Sequence, residues 1–68
     1  MTKKQAIQEY DGITNNILST TKDNIGLREY VFSSIVAPRY LQDMKKDEIM
    51  KNLENIKKVS EYVTSKCN

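Results

Sequence analysis

In the last third of the chain, apolar or small residues return at steps of four, three, four, three and four: Ile49, Leu53, Ile56, Ser60, Val63 and Cys67. That alternation keeps every member on one stripe of an α-helix, whereas in a strand the same positions would fall on both faces. Met50 and Val59 widen the stripe, while Lys51, Glu54, Lys58 and Glu61 occupy the opposite side. Asp47 stands where an N-cap would start such a helix. The repeat is shorter than about three heptads, which favours a helix within a bundle over a free coiled coil.

The rest of the chain follows the same period. Thr2 and Gln5 have the spacing of a capping box. Ala6, Tyr10, Ile13 and Ile17 then form a stripe, flanked by Ile7 and Leu18, which predicts a first helix over about residues 3–18. Gly12 inside it costs roughly 1 kcal/mol relative to alanine, and is either tolerated or marks the close approach of another helix. Residues 19–24 are polar and read as a loop; Thr20 and Asp23 have capping-box spacing and predict a second helix starting at 22–24. Segment 30–36 is β-prone by composition. Leu27, Val31 and Ile35 nevertheless repeat every four residues, and no partner strand exists elsewhere, so helix is expected. Pro38 should end it at 36 or 37 and open a short helical turn of its own. The expectation is one all-α domain over residues 1–68, a small three-helix bundle.

At 68 residues such a domain sits near the size at which one core alone suffices. A single Cys gives no internal disulfide, and without His there is no ordinary zinc site. A partner or a second copy is what remains. Catalysis has little to stand on, because general acid–base work most often uses His. Cys67 has no imidazole to make it a thiolate. Glu9 and Asp11 diverge by about 200° on a helix. Gly12 and Gly26 are isolated, so no phosphate-cradling loop is formed, and the acids are scattered. No enzyme, metal or cofactor is expected. No run approaches the roughly 18 apolar residues of a membrane span, and no targeting segment is evident, so a cytoplasmic location is expected.

What the sequence offers instead is interface chemistry. Tyr30, Phe32, Arg39, Tyr40, Leu41 and Met44 crowd around Pro38, and aromatics, Arg and Met are enriched at protein interfaces. The second helix also carries apolar residues on more than one face. These features predict a non-enzymatic regulator that binds and inhibits a larger protein through Tyr30, Phe32, Arg39, Tyr40 and Met44. The alternative is a nucleic-acid-binding accessory factor using Arg28, Arg39, Lys45, Lys46, Lys57 and Lys58, with Tyr40 stacking on a base. Against it, the net charge is only +2, and Asp43, Asp47, Glu48, Glu54 and Glu61 interleave with the lysines. The stripe of Ile49, Leu53, Ile56, Val63 and Cys67 is a candidate self-association seam, predicting a homodimer or higher oligomer. Parallel pairing would bring two Cys67 side chains together.

Overall fold

Thr2 begins the first helix as its sequence spacing predicts. Its hydroxyl accepts from the Gln5 backbone N–H at 3.1 Å, and the Gln5 side chain accepts from the Thr2 N–H at 2.8 Å. This reciprocal cap opens α1, Lys3–Thr20. The computed structural model describes residues 1–67, with the Cys67 side chain outside the description. It contains α1, α2 (Ile25–Ser34), a 3-10 segment (Pro38–Asp43) and α3 (Lys46–Cys67). No strand occurs among the described residues.

Four boundaries differ from the sequence expectation. α1 runs two residues past 18, to Thr20. Asn24, rather than Thr20 with Asp23, caps α2: its side chain accepts from the Leu27 N–H at 3.0 Å. α2 stops at Ser34, and Ile35 and Ala37 are extended, with Ala37 in the conformation imposed on a residue before proline. α3 starts before Asp47, which lies with Glu48 in its first turn; there both carboxylates complement the helix dipole without capping it.

Side-chain contacts fix the topology. Arg28 reaches the Leu18 carbonyl, Tyr10 the Val36 carbonyl and Lys3 the Gln42 carbonyl. As numbering rises from 28 to 42 it falls from 18 to 3, so the stretch after α1 runs back antiparallel to it. α3 then ascends beside this return: Asn52 contacts Met44, Asn55 contacts Ser34, and the ring of Tyr62 meets Tyr30. α1 and α3 are therefore parallel, and Lys57 pairs with Glu9 at 3.6 Å between them.

The core lies mainly between α1 and α3. Ala6, Tyr10 and Ile17 meet Ile49, Leu53, Ile56, Val59 and Val63, with Val31 and Leu41 added from the return stretch. Two threonines, Thr14 and Thr21, are buried with them. Each hydroxyl donates to the carbonyl four residues back at 2.9 Å, which satisfies it and lets the residue pack as a small apolar one. Thr14 thus takes the central position assigned above to Ile13, which is half-buried. Gly12 is the tolerated kind: a Cβ there would meet nothing within 4 Å.

Ile49, Leu53, Ile56 and Val63 correct the seam expectation. All four are buried within a single chain, so a second copy cannot pack along them without opening the bundle. Cys67, the last seam position, lies outside the described side chains.

Candidate protein-binding groove

The residues grouped around Pro38 in the sequence do not stay together in space. Tyr30 turns toward α3, its ring centroid 4.7 Å from that of Tyr62. Met44 is half-buried against the core and accepts a long contact from Asn52 at 3.6 Å. Phe32, Tyr40 and Arg39 remain exposed. A helical step of two residues separates Tyr30 from Phe32 by about 200°, which is why one faces α3 and the other does not.

Phe32 and Tyr40 rim a groove of about 530 Å³. Its walls are Thr14 and Leu18 of α1 on one side and Ile35, Val36, Ala37 and Pro38 on the other. The lining is largely apolar because two backbone breaks coincide there. Pro38 excludes helix at Ala37, and the early end of α2 leaves Ile35 extended and Val36 outside any helix beside α1. Phe32 is 61% exposed and Tyr40 52% exposed, large aromatic surfaces for a chain that buries Tyr10 almost completely.

Polar ties hold the groove's shape. The Tyr10 hydroxyl donates to the Val36 carbonyl at 2.6 Å, fastening the extended strap to α1. Burial pushes the Tyr10 hydroxyl above the ordinary tyrosine range, so it stays a donor at neutral pH. α1 has no basic residue in its own last turn. Arg28 of α2 supplies one, donating to the Leu18 carbonyl at 3.5 Å while its Nε has no hydrogen-bond partner. Asn55 of α3 donates to the Ser34 carbonyl at 2.8 Å and closes the other end of α2.

Arg39 lies over the Tyr40 ring, 5.1 Å from its centroid, and donates to the Tyr40 hydroxyl at 3.3 Å. The guanidinium and the ring thus form one preordered unit at the rim. Each of the chain's two arginines touches a residue that lines this groove, Arg28 the Leu18 carbonyl and Arg39 the Tyr40 ring.

Thr14, Leu18, Val36 and Ala37 were not among the sequence candidates. Leu18 was visible beside the first stripe, but its role depends on the return stretch running back along α1. Among the described residues no three acidic or cysteine side chains gather as a metal site, and no described helix is long and apolar enough to cross a membrane. No family model, curated protein or solved structure matches this chain.

Proposed function

We propose that this chain is a non-enzymatic regulator that binds a larger protein through the groove between Phe32 and Tyr40, and inhibits that protein by covering part of its surface. The observation that carries this reading is the pair of exposed aromatic rims on a preformed apolar groove, with Arg39 stacked on one of them. Tyr and Arg are the residue types that most often dominate binding energy, and a fixed ring loses little conformational freedom when a partner seats on it. The groove is walled by backbone tied down at Tyr10 and Leu41, so a partner meets a surface already in place.

The test is affinity capture from a lysate of the source cell with wild type, Phe32→Ala and Tyr40→Ala, each run with and without nuclease. Either substitution should weaken capture of the bound protein by about thirtyfold or more, equivalent to about 2 kcal/mol, with unchanged helicity by circular dichroism. Full capture by both variants ends the reading. Capture abolished by nuclease, with an affinity falling steeply as salt rises, would favour the nucleic-acid alternative.

A further inference from the structure

The apolar groove is one end of a longer furrow. Pro38 lines both this groove and a second depression containing Asp11 and Arg39. Ile7, Gln8 and Gln42 line that depression and a third one, which contains Lys3 and Lys4. The three depressions thus follow one another along α1 beside the segment 35–43, each sharing lining residues with the next. From Leu18 to Lys4 they follow fourteen helical steps of α1, about 20 Å at helical rise.

Its chemistry is graded along that length. The Leu18 end is apolar and framed by Phe32 and Tyr40. The middle holds charges of both signs, Asp11 and Arg39. The far end carries Lys3 and Lys4 with no acidic residue in its lining. Lys3 is tied to the Gln42 carbonyl at 2.9 Å, and Lys4 is exposed.

Resting on the protein-binding reading above, we infer that the furrow accepts a single peptide segment of the partner that is apolar at one end and acidic at the other. The segment's apolar side chains lie between Phe32 and Tyr40, and its carboxylates reach Lys3 and Lys4. Asp11 and Arg39 offset each other at the middle, whereas Lys3 and Lys4 face no acid in their lining, so the carboxylates belong at the Lys3–Lys4 end and the binding direction is fixed. An evenly acidic or evenly apolar segment satisfies only one end. A charge-graded furrow therefore gives specificity as well as affinity.

The probe is a displayed library of random peptides of about 14 residues, the number a helix needs to span about 20 Å, selected on the whole chain. The strongest selected peptide is then titrated, alongside a version with its acids replaced by amides. Wild type, Lys4→Glu, Phe32→Ala and Lys58→Glu are compared. Lys4→Glu breaks no hydrogen bond or ion pair of the fold, and Lys58→Glu makes the same change of net charge on the exposed side of α3. The expected peptides carry apolar residues at one end and Asp or Glu at the other. Lys4→Glu and the amide version should each weaken binding about tenfold, Phe32→Ala at least as much, and Lys58→Glu little. Peptides that require Phe32 but lack acids, or ignore Lys4→Glu, overturn the charge grading and leave the groove reading standing. Equal weakening by Lys4→Glu and Lys58→Glu also overturns the grading, since it reports net charge only. No enriched peptide, or binding that survives Phe32→Ala, overturns both.

Discussion

Tyr10 packs its ring into the core and sends its hydroxyl across to the Val36 carbonyl, so one residue both fills space and holds the strap that walls the groove. Tyr10→Phe keeps the ring and removes the donor. It should cost about 1 kcal/mol, seen as a thermal midpoint lowered by roughly 4–8 °C in a domain of this size. The pH dependence has a definite sign. Burial raises the folded-state pKa, so the neutral hydroxyl's contribution is complete below the unfolded value of about 10 and is lost as pH rises through the folded value. The stability gap between wild type and Tyr10→Phe should accordingly narrow in alkaline urea titrations above about pH 10. A gap that stays constant would mean the hydroxyl does not titrate with unfolding. Thr14 shows where residue-level reading of the sequence stops. Its polarity argues for the surface, and only the backbone carbonyl four residues earlier makes its burial favourable.

At the scale of elements, α2 stands apart. Val31 is its one buried residue, and Ile25 is 74% exposed. It is held by Arg28 on the Leu18 carbonyl, Asn55 on the Ser34 carbonyl and the ring contact of Tyr30 with Tyr62. Elements with little burial open locally at lower free energy than the core. Native-state hydrogen exchange should therefore find α2 amides less protected than those at the centre of α3 by tenfold or more, a difference of about 1.4 kcal/mol. Equal protection would show that α2 opens only with the whole fold. The helices and the proline break were legible in the sequence because periodicity and a missing backbone donor are local signals, as was the Thr2–Gln5 cap. Asp23 and Asp47, by contrast, do not cap. The C-terminal limit of α2 was not legible. Ile35 continues its apolar repeat, yet the chain is extended there, where Tyr10, 26 positions earlier, holds the next residue by its carbonyl.

For the whole molecule, the parallel pairing of α1 with α3 decides what the apolar repeat of α3 is for. The sequence defines that stripe but not its partner, because a helix face covered by α1 and one covered by a second copy have the same pattern. The structure covers it from within. Ile56→Ala should consequently cost about 2–5 kcal/mol, a large share of the roughly 3–10 kcal/mol expected for a domain of this length. Its urea midpoint should fall far below that of wild type and be the same at every protein concentration. A midpoint that rises with concentration would return Ile56 to a subunit interface. The furrow was equally hidden from the sequence. Leu18, Lys4 and Pro38 come to share it only because the chain doubles back along α1.

The two sides of that furrow are not equally firm. One is α1, braced by α3 over the core; the other is a non-helical stretch running into the short 3-10 segment, secured by Leu41 and by two ties to α1. The Tyr10 tie near the aromatic end is short and partly buried, whereas the Lys3 tie at the basic end is exposed to water. Water competes more strongly for the second than for the first, so the gap is held more firmly at Val36 than at Gln42. An incoming segment would thus register first by fit at the aromatic end, as a key does in a lock. The lysine end would then adjust around it, trading the Gln42 carbonyl for a carboxylate. Recognition of this kind has a fixed point and a compliant one, and the fixed point sets the alignment of everything beyond it.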